Sequence, residues 1–199
     1  MVLGVAGLFA AAATAGVYLA RRICAGVIPF ADGPRAGRAP VVLLIAVAAA
    51  AGAFEALRGV AGVELVLVAV LACVLVAIWC CDVRCGIVPD AFTLVPLGAV
   101  IIAAAVSQQW WVIASAAIVF VPFAGAALAS HGRGMGWGDV KLVALGGAVL
   151  GYEAAILGFG LACAAAVLVA LARRRGSEPI AFAPYLVAAI AIPLVLRAV

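Results

Sequence analysis

Eight long apolar runs, each separated from the next by a short polar segment, occupy most of this sequence. Crossing a bilayer as a helix takes about 20 residues, so eight helices would use roughly 160 of the 199 residues. The runs are unbroken rather than alternating, which indicates helices instead of strands. The sequence therefore predicts an all-α polytopic integral membrane protein, a bundle of about eight transmembrane helices forming a single membrane domain over residues 1–199. The predicted runs are Val2–Ala20, Pro40–Leu57, Leu65–Cys81, Ala91–Val106, Trp110–Ser130, Val140–Gly151, Ala154–Ala172 and Ile180–Leu196.

The composition excludes a soluble globular protein. Hydrophobic residues make up 70% of the chain and charged residues 10%, whereas a soluble domain is about half apolar and a quarter charged. The net charge of +4 comes from basic residues in the short segments between apolar runs. No basic patch with interleaved aromatic residues occurs, so we expect the lipid bilayer, and not nucleic acid, as a partner.

The basic residues are distributed very unevenly between alternate polar segments. One set of alternate segments contains 10 of the 12 Lys and Arg residues, and the other contains only Arg58 and Arg197. Because basic loops stay in the cytoplasm, this split predicts eight crossings with both termini outside. It also places the segments Asp82–Asp90 and His131–Asp139 on the cytoplasmic side of the inner membrane. No basic segment precedes the first run, which favours a retained helix, although its alanine-rich stretch leaves a cleaved signal peptide open as the alternative.

The six cysteines form no CxxC pair, so the sequence does not predict a zinc site. Cys73 and Cys163 fall in the middle of apolar runs, where cysteine acts as a small packing residue. Cys80, Cys81 and Cys85 are expected to crowd one loop. A reactive thiol in that loop is the alternative to simple packing.

Asp82 and Asp139, two of the eight carboxylates, are the candidates for chemistry at the ends of predicted helices. Asp82 directly follows the third run and Asp139 directly precedes the sixth, and a carboxylate near lipid usually has a function or a partner. Two carboxylates brought together in a poorly hydrated site share one proton, the arrangement with which an aspartic protease activates water. Each residue alone also has a structural explanation: Asp82 as a cap or a partner of Arg84, and Asp139 as the cap of a helix that starts at Val140. The glutamates, Glu55 among them, are interpreted as interfacial charges.

The polar segment before the sixth run is rich in glycine at alternate positions and contains the tetrad GWGD at residues 136–139. Glycines allow sharp bends and let a second backbone approach closely, so this segment is suited to receive a substrate backbone. The pattern is not GxGxxG and no strand precedes it. A dinucleotide site is therefore not supported.

Two segments of the chain resemble the type IV prepilin peptidase family, which are membrane aspartic proteases of the GxGD type. Residues 82–94, DVRCGIVPDAFTL, are similar to the family's first aspartate segment, with Pro89, Asp90 and Thr93 at matching offsets. Residues 134–146, GMGWGDVKLVALG, are similar to the second segment through the lysine and the apolar helix that follow the aspartate. The resemblance predicts a catalytic region over residues 65–199.

By this resemblance, Asp82 and Asp139 are the catalytic pair. Five further motif residues are expected to bind the substrate or support the pair: Gly136, Gly138, Lys141, Pro89 and Asp90. The implied activity is that of an endopeptidase that removes the basic leader of type IV prepilin-like precursors at the cytoplasmic membrane face. No metal or organic cofactor is expected, because the two aspartates polarise the water themselves.

The chain departs from the family between its first two apolar runs. Family members that also methylate the new pilin N-terminus carry a cytosolic domain with two CxxC pairs at this place. Here the interval is only Arg21–Ala39, with Cys24 as its single cysteine. We therefore expect leader cleavage without methyl transfer.

A small transporter or proton-coupled channel is the alternative from another functional class, because intramembrane carboxylates and glycine-broken helices also line ion paths. Against it, both aspartates fall on one membrane face rather than at mid-depth, and no inverted repeat is visible. An inactive family member that serves as an assembly factor is a third alternative. The presence of both aspartates argues against this third possibility.

Overall fold

The computed structural model describes residues 2–25, 38–60, 62–131, 135–172 and 181–196. Within these ranges the chain forms eight α-helices and no strand, which confirms the predicted all-α class. Each predicted apolar run corresponds to one helix. The helices are α1 (Val2–Cys24), α2 (Arg38–Leu57), α3 (Val63–Cys85), α4 (Asp90–Val106), α5 (Trp110–Ala129), α6 (Trp137–Leu150), α7 (Tyr152–Ala172) and α8 (Ala183–Leu196).

Four of the described helices, α1, α3, α5 and α7, are long and apolar enough to cross a bilayer. The stretch Val41–Leu57 of α2, together with α4 and α8, is apolar but shorter. Many large apolar side chains on these helices are exposed, including Leu3, Val106 and Leu161. Such a surface is unfavourable in water and is typical of helices that face lipid. The protein is therefore a helical membrane protein.

The third helix is longer than the sequence predicts. It covers Val63–Cys85 instead of Leu65–Cys81, and Gly86 caps it in the left-handed conformation with φ 63°. The N–H of Gly86 donates to the carbonyl oxygen of Asp82 at 2.8 Å and closes the last turn. Placing Asp82 and its neighbouring cysteines in a polar loop is therefore wrong. The first charged residue after an apolar run therefore does not mark where the backbone hydrogen bonds of the helix end.

The first compact unit spans Met1–Ile87, and in it α1 packs against both α2 and α3. The closest approach is at Gly16 of α1, where an added Cβ would collide with the carbonyl oxygen of Cys73 in α3. Gly52 of α2 makes room for the ring of Phe9 in α1, 2.7 Å from where its own Cβ would be. Small residues at helix crossings are the usual means by which membrane helices pack closely.

The burial of a glutamate in this unit is not predicted from the sequence, in which it is interpreted as an interfacial charge. Glu55, near the end of α2, is only 4% exposed. Its Oε1 lies 3.9 Å from Nη1 of Arg58, three residues further along the chain. Residues three apart share one side of a helical turn, so Arg58 is placed as the cationic partner of the buried Glu55.

The second unit spans Val88–Val199 and is organised around α6, which contacts α4, α5, α7 and α8. Residues 142–148 of α6 are all buried. A Cβ added at Gly146 would lie 2.9 Å from Cγ1 of Ile190 in α8, and one at Gly147 would lie 3.0 Å from the carbonyl oxygen of Ser115 in α5. These two glycines let the neighbouring helices approach α6 closely, so α6 forms the centre of this unit.

The length of α6 bears on the number of membrane crossings. The helix starts at Trp137, three residues before the predicted start at Val140, and has 14 residues. Its length is therefore about 21 Å, which is shorter than the hydrocarbon core of about 30 Å. The total of eight crossings depends on counting α6 as one of them, and that total stays a prediction.

We expect reporter fusions after Ser130 and after Arg175 to report a cytoplasmic location, and a fusion after Gln109 to report an outside location. Gln109 and Ser130 flank α5, and Arg175 lies outside the described residues. The physical reason is the retention of basic loops in the cytoplasm. Paired alkaline phosphatase and green fluorescent protein fusions measure this. An outside signal at Arg175 would contradict the topology and the shared membrane face of the two aspartates.

Candidate active site

Asp82 lies in the last turn of α3 and is one of the few charged residues that are buried among those described. It is 8% exposed, and the neighbouring Cys81 and Cys85 are buried as well. Because α3 continues past Asp82 to Cys85, this carboxylate belongs to the helix and not to the segment that follows it. Because a buried carboxylate is expensive to keep ionised, such a position indicates a function or a fixed partner.

Asp139 is the third residue of α6, after the N-cap residue Gly136. The expectation that Asp139 caps a helix starting at Val140 is wrong. The N–H groups of Asp139 and Val140 both donate to the carbonyl oxygen of Gly136, at 3.1 and 3.3 Å, which starts the helix earlier. The Oδ2 atom of Asp139 lies near the N-terminus of the helix, 3.5 Å from where a Cβ of residue 136 would be. In the first turn, a carboxylate is stabilised by the positive end of the helix dipole.

Gly138 allows α6 and the segment at Val88 to approach closely, and it does not form a bend. A Cβ added there would lie 2.6 Å from Cβ of Val88, closer than real Cβ atoms come, and 3.2 Å from its carbonyl oxygen. Gly136 has an ordinary φ of −75°, which does not require glycine. The other alternating glycines, Gly132 and Gly134, lie outside the described residues. The structure thus gives Gly138 a packing role against the segment that leads into α4.

Asp90 and Lys141 form an ion pair between α4 and α6, with Oδ1 and Nζ 2.6 Å apart. Pro89 is the N-cap of α4 in an extended conformation, so Asp90 is the first helical residue. The hydroxyl of Thr93, which is fully buried, donates to the carbonyl oxygen of Asp90 at 3.3 Å. This ion pair is not predicted from the sequence. The available signal was the opposite charge of two residues in the two motifs.

The second unit therefore brings the end of the first motif, residues 88–90, against the second motif, residues 138–141. Asp82, the first residue of the first motif, belongs to the first unit and is placed within that unit alone. The pairing of Asp82 with Asp139 stays a prediction from the sequence. Among the residues that the structure describes, no group of three His, Cys, Asp or Glu side chains is placed to hold a metal ion.

The site residues fall within one stretch of the chain that matches a known protein family. The model of the type IV leader peptidase family matches residues 69–171, more than half of the 199 residues. The chain belongs to the type IV leader peptidase family. No curated protein and no solved structure matches it.

Membership in the leader peptidase family implies proteolytic activity. The matched residues run from α3 into α7 and include Asp82, Asp90, Asp139 and Lys141. Membership favours a peptidase over the alternative of a small transporter or proton-coupled channel. The predicted catalytic region, residues 65–199, contains the whole of the matched stretch.

Proposed function

We propose that this leader peptidase family member is an aspartic endopeptidase that removes the leader of type IV prepilin-like precursors. The observation that carries the proposal is the family match over residues 69–171, which contains both Asp82 and Asp139. The burial of Asp82 and the position of Asp139 in the first turn of α6 support it. Reactive carboxylates in enzymes commonly occupy such environments.

In the proposed reaction, Asp82 and Asp139 divide acid and base catalysis between them. One carboxylate accepts a proton from a water molecule while the water oxygen attacks the scissile carbonyl carbon, and the other carboxyl donates its proton to the carbonyl oxygen. When the tetrahedral intermediate collapses, the C–N bond breaks. The leaving amine takes the proton that came from the water, and the carbonyl proton returns to its carboxylate. Because the two residues supply both acid and base, the scheme includes no cofactor.

The proposed substrate is a membrane-anchored precursor with a basic leader followed by an apolar helix. The bilayer is then a second partner, because it holds both the enzyme and the apolar part of the substrate. The uneven loop charges support an active site at the cytoplasmic face of the inner membrane, where the same rule retains a basic leader. We take residues 65–199 as the catalytic region of a single membrane domain.

Co-expression with a tagged prepilin tests this function. We expect the precursor to shift to a shorter product on a gel, and mass spectrometry to locate the cut between the leader and the apolar helix. The new N-terminus should carry no methyl group even when S-adenosylmethionine is supplied. Membranes without the protein are the negative control.

Another member of the family that processes the same prepilin is the positive control for this experiment. If that enzyme shortens the precursor and this protein does not, over a panel of prepilins, the proposed function fails. A methyl group that appears only when this protein is present would refute the expectation of cleavage alone.

A further inference from the structure

The ion pair between Asp90 and Lys141 has no role in a reaction carried out by two other carboxylates. It connects the first residue of α4 to α6 across 51 positions of the chain, with Nζ and Oδ1 2.6 Å apart. The ammonium and the carboxylate are in direct contact, so the ion pair is also a charge-assisted hydrogen bond. A bond of this kind between two helices constrains how they are oriented.

The side chains of Asp139 and Lys141 project from α6 in different directions. They are two positions apart, and each residue turns an α-helix by about 100°. Their side chains are therefore about 200° apart around the helix axis and do not share a face. Because Asp90 holds Lys141 on one side of α6, the ion pair fixes the direction of Asp139 on the other side.

A second contact joins the same two segments. Gly138 lies so close to Val88 that a Cβ at position 138 would be 2.6 Å from Cβ of Val88. Gly138 and Lys141 are three positions apart and lie on one face of α6, which is the face toward the start of α4. Packing around Gly146 and Gly147 holds the middle of α6, whereas these two contacts hold the beginning of the helix, which carries Asp139.

Neither folding stability nor binding of the leader is a good explanation of the pair between Asp90 and Lys141. The side chain of Asp90 is 61% exposed and that of Lys141 is 27% exposed. Ion pairs this open to solvent contribute little to folding. The carboxylate of Asp90 is also already neutralised by the ammonium of Lys141, which weakens its attraction for a basic leader.

We propose that Asp90 and Lys141 are positioning residues, whose ion pair holds α6 at the rotation that directs Asp139 toward the scissile bond. Neither side chain touches the substrate. The inference rests on the proposed function, because it requires Asp139 to be a catalytic residue. Misdirecting a catalytic group slows the chemical step and leaves substrate affinity unchanged.

The test is steady-state cleavage of a prepilin by the detergent-solubilised full chain, with kcat and KM measured separately for Asp90→Asn and Lys141→Gln. We expect each variant to lower kcat by roughly 10- to 100-fold and to keep KM within about twofold. The double variant should be no slower than the slower single variant, because both substitutions break the same bond.

Glu153→Gln is the matched control. Glu153 is an exposed carboxylate in the first turn of α7, in the same unit, and its replacement should leave kcat and KM unchanged. Thermal unfolding of every variant in detergent provides the second measurement. If Asp90 and Lys141 are positioning residues, their variants should have a lower kcat and unfolding midpoints close to that of the wild type. A loss of kcat in proportion to the loss of folded protein would indicate structural support and overturn the proposal.

The remaining outcomes are also decisive. A raised KM at unchanged kcat would place Asp90 in leader binding and overturn the proposal. Wild-type kcat in both single variants, or losses that multiply in the double variant, would do the same. Failure of the wild-type chain to cleave would instead refute the proposed function, and the inference with it.

Discussion

Asp139→Asn and Asp82→Asn should each abolish removal of the leader while the amount of protein in the membrane stays the same. Asn has nearly the size of Asp and keeps its hydrogen-bonding capacity, but it neither accepts nor releases a proton at neutral pH. Losing a general acid or base slows a reaction by about 100- to 10,000-fold. Product should therefore disappear from a gel assay, and quantitative mass spectrometry of precursor and product gives the residual rate.

Glu64→Gln is the matched control for this pair of variants. Glu64 is an exposed carboxylate in the first turn of α3, and its loss removes the same charge without touching the proposed site. Because Asp82 is buried, its variant also needs a thermal unfolding measurement to show that Asn is accommodated. Normal cleavage by both aspartate variants would eliminate the aspartic mechanism, and loss in only one would mean that its partner is wrongly assigned.

Gly138→Ala should lose both stability and cleavage. The new Cβ would lie 2.6 Å from Cβ of Val88, and Pro89 restricts the backbone conformation of Val88, so this segment has little freedom to move away. Overpacking of this kind costs about 1–3 kcal/mol, which exceeds or cancels the gain of about 1 kcal/mol from replacing Gly in a helix. A displaced α6 carries Asp139 with it, and a shift near 1 Å lowers the rate by roughly 100-fold.

Gly98 of α4 provides the control for this substitution, because no heavy atom lies within 4 Å of a Cβ added there. Gly98→Ala should be neutral or slightly stabilising, and its cleavage rate should match the wild type. Thermal unfolding midpoints in detergent and initial cleavage rates compare the two variants. Wild-type values for Gly138→Ala in both measurements would show that residues 88 and 138 are not in this close contact.

Hydropathy is sufficient to predict the eight helices, because a long apolar stretch in lipid must satisfy its backbone groups internally. It does not predict where the helices end. The last apolar residue before Asp82 is Cys81, yet α3 continues to Cys85 because Gly86 provides the stop. In the same way, α6 starts at Trp137, where the backbone bonds to Gly136 begin.

The candidate site is predicted in part. The two motifs predict Asp82 and Asp139 as the candidate pair. The ion pair of Asp90 with Lys141 depends on how α4 and α6 pack, which spacing along the chain does not determine. The burial of Glu55 also depends on how helices pack, whereas its position in the sequence indicates an interfacial charge. Packing between helices, and not local pattern, decides these features.

The central position of α6 has a consequence for the order in which the protein becomes active. Chains are synthesised from the N-terminus, so α6 is made before α7 and α8 exist. Phe159 and Ile190, which would crowd a side chain at Gly146, belong to those two later helices. Until they are inserted, α6 lacks two of its four neighbours. A nascent chain that already contains both aspartates therefore still lacks part of the packing around α6, and we expect proteolytic activity only when synthesis is nearly complete.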